Sequence, residues 1–398
     1  MSKLLSALYS ISRKETRSII GLMSGTSLDG LDIALCDVTG TGLQTSLRVR
    51  EFQTVPYSDE VKERIRTVFA KREVDFQYLI VLNEWIGLLH ADMINSCLRQ
   101  WGIAPEAVDC IASHGQTVFH APARQHGVPG MPDATLQIGD GDHIAVKTGI
   151  ITLSDFRQKH LAAGGEGAPL AVYGDYLLFS REGENRLMLN MGGIANFTYL
   201  PGNLDASAVF VTDTGPGNTL LDAFVQKLAN LPYDKDAQLA SQGQASRSLL
   251  DALKNNPFFK APFPKTTGPE VFNIEYVRAA QKSTGTLGLS KEDVLATLTA
   301  FSAETIAEAI RQVVVPGESY SIYTSGGGMH NPLLIELIRK MLPEMRLVPS
   351  DDLGISGDAK EAVLFAVLAN ETLAGDPIHF GSRKAVPSVT MGKISLPG

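Results

Sequence analysis

Residues 18–38 read SIIGLM, SGTSLDG, LDIALCDV. The apolar run Ser18–Met23 predicts a strand, Ser24–Gly30 is made of turn formers, and Leu31–Val38 predicts a second strand. Strand, glycine turn, strand is not a P-loop, which leads from a strand into a helix and carries Gly-Lys-Ser/Thr. Nor is it a dinucleotide fingerprint, whose glycines open a helix. A turn built from Gly, Ser and Thr lets backbone N–H groups come close to a phosphate. On these residues alone an ordinary hairpin with an Asp-Gly turn fits equally well.

The pattern returns further along. Arg186–Asn190 (RLMLN) predicts a strand, Met191–Asn196 (MGGIAN) a turn and Phe197–Leu200 a strand. Two copies about 170 residues apart predict a duplicated domain, and two such turns facing each other would clamp a polyphosphate. Gly326–Gly328 lies between a strand at Ser321–Thr324 and a helix from Pro332. Without Cβ atoms it offers adenosine a flat floor; the plainer reading is close strand–helix packing. Helical spacing over Ser58–Ala70, Phe76–Trp101, Asp293–Val314 and Asp358–Glu371, alternating with short strands, predicts α/β layers. We expect an N-terminal extension over 1–17, a first domain over 18–183 completed by 375–398, and a second over 184–374.

The bulk composition agrees. A chain of 398 residues with 44% hydrophobic and 20% charged residues is long enough for two cores. The net charge of −8 comes without a basic block, which argues against nucleic acid or an anionic membrane as partner. Cys36, Cys97 and Cys110 are widely spaced and odd in number, so a disulfide framework or zinc site is not expected and a reducing compartment fits. Leu4–Ile11 is followed at once by charged residues, and the expectation is a frayed extension rather than a signal peptide.

Several residue groups can carry chemistry. Gly25, Thr26, Ser27, Leu28, Asp29, Gly30, Leu31 and Asp32 form the first turn; Asp29 and Asp32 can hold Mg²⁺, directly or through water, because magnesium takes oxygen ligands. Asp213, read at a strand end before Gly-Pro-Gly, is placed either to act as a base or to cap the following helix. His114–Thr117, Asp155–Arg157 and Ala163–Pro169 read as polar loops at strand ends. His114 is either a base or a structural hydrogen-bonder. Arg157 either grips a carboxylate with its planar fork or pairs with a neighbour such as Asp155.

Six motifs in order, MSGTSLDG at 23–30, SHGQT at 113–117, DFR at 155–157, AAGGEGAPL at 162–170, NMGGIAN at 190–196 and DTGPGN at 213–218, resemble the anhydro-N-acetylmuramic acid kinase family, over about residues 18–395. The resemblance implies two RNase H-like domains of the actin-like ATPase kind flanking a nucleotide cleft, with closure around the substrates. It implies a cytoplasmic enzyme, ATP and Mg²⁺ as cofactors, a small sugar substrate and a role in cell-wall recycling. The implied reaction converts 1,6-anhydro-N-acetylmuramic acid, ATP and water to N-acetylmuramic acid 6-phosphate and ADP. Asp213 then matches the catalytic base, and Gly25–Asp32 with Gly192, Gly193, Asn196 and Gly326–Gly328 the ATP site. His114, Thr117, Asp155, Arg157, Glu166, Gly215 and Asn218 would bind the sugar, Arg157 meeting either its lactyl carboxylate or a phosphate. Two features depart from the family pattern: residues 1–17, and what reads as a small insertion at Gln125–Asp133 near the expected sugar site. A kinase of another amino sugar, or an actin- or chaperone-like ATPase acting on a protein, are the competing readings, and a homodimer is left open.

Overall fold

The computed structural model describes residues 2–383 and 386–398. The apolar run at the start becomes β1 (Thr16–Ser24), in which Ile19, Ile20 and Leu22 are wholly buried. A strand apolar in every position rather than every second one belongs in the middle of a sheet covered on both faces, and β1 lies there. It pairs antiparallel with β2 (Gly30–Thr39) and parallel with β4 (Cys110–Ala121). β3 (Ser46–Pro56) continues on one side; β6 (Thr152–Ser154) and β12 (Lys393–Ser395) continue on the other, and β5 (Ala134–Ile138) pairs with β4. Helix Phe76–Trp101 presents Leu82, Ile86, Ile94 and Leu98 to the core built on this sheet. Asp75 caps that helix by accepting from Tyr78 N at 2.9 Å.

The second sheet runs β11 (Arg346–Pro349), β10 (Tyr320–Ser325), β7 (Asn185–Met191), β8 (Ile194–Leu200), β9 (Phe210–Pro216). Read from β7, an antiparallel meander through β8 and β9 lies on one side and two strands in parallel pairing on the other. β1 has the same arrangement, with β2 and β3 on one side and β4 and β6 on the other. Two RNase H-like sheets of equal topology are therefore present, as the repeated glycine turn predicted. Helix Lys291–Arg311, capped by Ser290, brings Ala303, Ile306 and Ile310 against Leu187, Leu189 and Phe197. A helical cluster around Phe224, Leu249, Phe272 and Leu298 adds a second core to this half.

The chain divides into one unit reaching to Phe179 together with Asp358–Gly398, and another of Ser180–Gly357. Helix Lys360–Ala374, which sequence order assigns to the second domain, packs on β1, β2 and β4 and so belongs to the first. Residues 3–12 form a helix rather than a frayed end, and Lys14 pairs with Asp109 at 2.5 Å. The tail after Gly375 is anchored by the buried Phe380 and Met391 and by β12. His114–Thr117 is not a loop either. It lies within β4, which passes through an irregularity at Gly115 (φ +77°), where a Cβ would meet Ile138 O at 2.7 Å. The helix expected over 58–70 is confined to Asp59–Arg66.

Gly21 sets the closest approach of helix to sheet: a Cβ there would lie 1.9 Å from Ala362 O, backbone that cannot swing aside. Gly21→Ala is expected to cost about 3 kcal/mol or more of unfolding free energy, read as a lowered urea midpoint at unchanged slope. A loss under about 1 kcal/mol would show that the helix does not seat on β1 this closely.

Candidate active site

In the first unit, the turn between β1 and β2 is held from below. Leu28 adopts a left-handed conformation (φ 58°) that sends its side chain into the core, while Thr26, Ser27 and Asp29 face outward. Leu31, expected among the nucleotide-binding residues, is also a core side chain. Among the described residues no backbone carbonyl takes the N–H of Thr26 or Ser27, so both remain available to a ligand. Beneath the turn runs a buried chain of hydrogen bonds. Gln116 Nε2 donates to Gly25 O at 3.0 Å; Ser24 Oγ donates to Gln116 Oε1 at 2.6 Å and lies 2.8 Å from Tyr57 OH; Tyr57 OH lies 2.7 Å from His90 Nε2. Burial lowers the His90 pKa to about 4 and keeps the ring neutral.

Asp29 accepts from Ser27 Oγ at 2.7 Å and Asp32 from Thr54 Oγ1 at 2.6 Å. Burial raises the Asp32 carboxyl; the Thr54 bond opposes this, and repulsion from Asp29 and Asp358 adds to it. Carboxylates crowded this way, with hydroxyls beside them, fit a divalent cation with oxygen ligands.

The structure brings His114 and Arg157 together. Arg157 Nε donates to His114 Nε2 at 2.9 Å and Nη1 to Gly167 O at 2.6 Å. His114 is therefore a structural acceptor, unprotonated at Nε2. Burial, and next the guanidinium, hold its pKa well below the usual range. Burial lowers the Arg157 pKa to about 10, with Glu361 acting to raise it. Asp155 pairs with Lys393 and not with Arg157. Glu166 pairs with Arg124 at 3.2 Å, and Thr117 Oγ1 accepts from Gln137 Nε2 at 3.4 Å. Ala123–His126 is a short helix and Asp133 accepts from Ala123 N at 2.7 Å, which closes the segment read as an insertion on itself.

In the second unit three glycine segments meet. Gly217 N and Asn218 N donate at 2.8 Å to Gly193 O and Gly192 O. Asn218 Nδ2 donates to Met191 O at 3.2 Å, and a Cβ on Gly328 would lie 2.7 Å from Met191 Cβ. The carbonyls of the Gly192-Gly193 turn are thus engaged from behind, while among the described residues their N–H groups donate to no backbone carbonyl. Beside them a cavity of about 440 Å³ is lined by Asn218, Asp222, Tyr233, Gly327, His330 and Asn331. Of the three glycines at 326–328, Gly327 lines it.

Asp213 is in the middle of β9 rather than at its end, opposite Asn196 on β8. It caps no helix: the following one begins at Thr219 with Asn218 at its cap position. Thr267 N donates to Asp213 Oδ2 at 2.8 Å, and Asp213 N donates to Lys265 O at 2.9 Å. Burial raises the Asp213 pKa to about 6, with the Thr267 bond opposing and Glu270 adding. A carboxylate titrating there suits a general base. Gly215 (φ +139°) packs against Phe259 and backs the site rather than facing it.

Sequence reasoning missed Lys265–Thr267, the Gln116–Ser24–Tyr57–His90 chain and Glu361. None of these carries a local signal, because each acts on a residue distant in sequence. Asp213 and Thr267 are 54 positions apart.

The description "Anhydro-N-acetylmuramic acid kinase" belongs to the family profile that matches residues 17–394. Among curated proteins, the anhydro-N-acetylmuramic acid kinase of Pseudoalteromonas atlantica is 56% identical over the whole of both chains. That of Caldanaerobacter subterraneus is 39% identical over 98% of this chain and 99% of its own. Component A of the Acidaminococcus fermentans (R)-2-hydroxyglutaryl-CoA dehydratase is a solved structure that covers 90% of this chain and 99% of its own. Its TM-score of 0.42 and 11% identity are too low to bear on activity.

Tyr57→Phe removes the hydroxyl that links Ser24 to His90. It is expected to cost about 1–3 kcal/mol of unfolding free energy, and a change under about 0.5 kcal/mol would show that the buried chain does not brace the turn.

Proposed function

Because the chain belongs to the anhydro-N-acetylmuramic acid kinase family, we propose that Asp213 is the base of its reaction and that the glycine turns at 25–30 and 192–193 bind the phosphates of ATP. The enzyme opens 1,6-anhydro-N-acetylmuramic acid with water and phosphorylates O6, giving N-acetylmuramic acid 6-phosphate and ADP in cell-wall recycling. The observation that carries the assignment of the base is a half-buried carboxylate fixed through Oδ2 by the Thr267 N–H, whose desolvation raises its pKa to about 6.

That bond leaves Oδ1 to accept a proton from water. The hydroxide so formed adds at C1, the C1–O6 bond breaks, and O6 takes the γ-phosphoryl group as ADP leaves. Ordinary glycoside hydrolysis spends a second carboxylic acid on protonating the leaving oxygen; phosphoryl capture of O6 removes that need. The unengaged N–H groups of Thr26, Ser27, Gly192 and Gly193 stabilise phosphate charge. Asp29 and Asp32 would hold Mg²⁺, which supplies further charge neutralisation. Arg157, kept in place by His114 and Gly167 O, is assigned to an anionic group of the substrate. Gly326–Gly328 and Asn331 are assigned to adenosine. Among the described residues no helix is long and apolar enough to cross a membrane, and a cytoplasmic site of action fits a substrate pair that includes ATP.

Asp213→Asn is expected to retain ATP binding and to lower kcat by about 10³-fold or more. The parent enzyme needs the ionised carboxylate. Its kcat/KM should therefore fall tenfold per pH unit below about 6 and level off above, and the variant's residual rate should lack that limb. The folded carboxyl holds its proton more tightly than its ordinary value of 3.8. Its contribution to stability is therefore present below that value and is lost as pH rises through about 6. At neutral pH the Asn variant should be at least as stable as the parent. Near-normal turnover would refute the assignment. In ¹⁸O-water the label should enter at C1; an unlabelled product would point to a plain hydroxyl kinase instead.

A further inference from the structure

Glu84, Asp140 and His143 take no part in the reaction proposed above, although Asp140 lines one cavity with His114 and Asp155. The ligand atoms of the three fall within 4.8 Å of one another. His143 Nδ1 is 2.7 Å from Glu84 Oε2 and 3.0 Å from Asp140 Oδ1. One ring nitrogen carries at most one hydrogen, so it cannot serve both carboxylates well. It is hydrogen-bonded to Asp140, while Glu84 Oε2 is out of contact with solvent and has no hydrogen-bond partner. A carboxylate oxygen that approaches an already engaged ring nitrogen at 2.7 Å without a hydrogen bond calls for a partner that both atoms can share.

We propose that these three side chains form a zinc site that joins helix Phe76–Trp101 to the start of helix Gly141–Thr148. Zinc bonds of about 2.0–2.2 Å to nitrogen and oxygen place neighbouring ligand atoms about 3.4 Å apart, so the 2.7 and 3.0 Å from Nδ1 to the two carboxylates need only a small outward shift to admit the ion. One imidazole with two carboxylates suits zinc better than magnesium, which prefers oxygen alone. A cation at the shared point gives Nδ1, Oε2 and Oδ1 one partner, with the ring's proton moved to Nε2. The side chains are partly open to solvent, which leaves room for water in the remaining position.

The donors are held before any metal arrives. Asp140 caps helix Gly141–Thr148 by accepting from Asp142 N and His143 N. Asn83, next to Glu84, accepts from Gly139 N at 3.0 Å. Gly87, one turn beyond Glu84, leaves no room for a Cβ, which would lie 2.8 Å from Asp140 O. The two elements are locked together at the place where the ligands converge, and that preorganisation favours affinity.

The test is calorimetric titration of the full chain, stripped with EDTA and dialysed, with ZnCl₂ alone. One equivalent should bind with Kd of about 1 μM or tighter and raise the melting temperature. Glu84→Gln, which keeps side-chain size, and His143→Ala should each weaken binding at least tenfold, while Asp142→Asn should not. Neither heat nor a thermal shift at about 100 μM zinc, or binding undiminished in both ligand variants, would overturn the proposal.

Discussion

A carboxylate partly withheld from water but not neutralised is the constraint on which this active site depends. Asp213 lies within β9 with one backbone donor, Thr267 N–H, and no cation paired with it among the described residues. Burial raises its pKa more than the single hydrogen bond lowers it, so the group titrates near 6. A surface aspartate would be ionised at neutral pH but too weak a base to draw a proton from water. A fully buried and unbonded one would stay protonated. The position in mid-strand matters here because β8 on one side and the Lys265–Thr267 segment on the other fix the side chain. A loop would let it seek solvent.

Glycine does a related job around it. The Gly192-Gly193 turn turns its carbonyls inward to Gly217 and Asn218, and so presents N–H groups outward. That division works only if the segments touch backbone to backbone. A Cβ on Gly217 would sit 2.3 Å from Gly192 O. In the other unit the equivalent turn is braced differently, by the left-handed Leu28 anchored in the core and by the chain from Gln116 to His90. One topology thus reaches the same outward-facing amides by two packing solutions, which is what a duplicated and diverged domain would leave behind.

Much of this was legible in the sequence where the signal is local. The two strand–turn–strand copies, helix Phe76–Trp101 and the Pro332 helix start follow from periodicity and turn chemistry. Legibility failed where a glycine does something other than turn. Gly115 looks like the end of a strand, yet β4 runs on through it because β5 supplies pairing on the far side. It failed also for helix Lys360–Ala374, whose sequence position says nothing about which sheet its buried face meets. For Asp213 the residue was visible but its environment was not. The Thr267 donor and the desolvation that sets its pKa come from chain segments that folding alone brings near. Likewise the His114–Arg157 pair favours the structural reading of His114, since the ring that accepts from a guanidinium is not free to act as a base.

The most direct test of this account is a ¹³C NMR titration of the Asp213 carboxyl in protein labelled at aspartate, assigned by the peak that Asp213→Asn removes. The account requires a midpoint near 6. A midpoint near the ordinary aspartate value of 3.8 would mean that water reaches the group freely, and the case for Asp213 as a base tuned by burial would be contradicted.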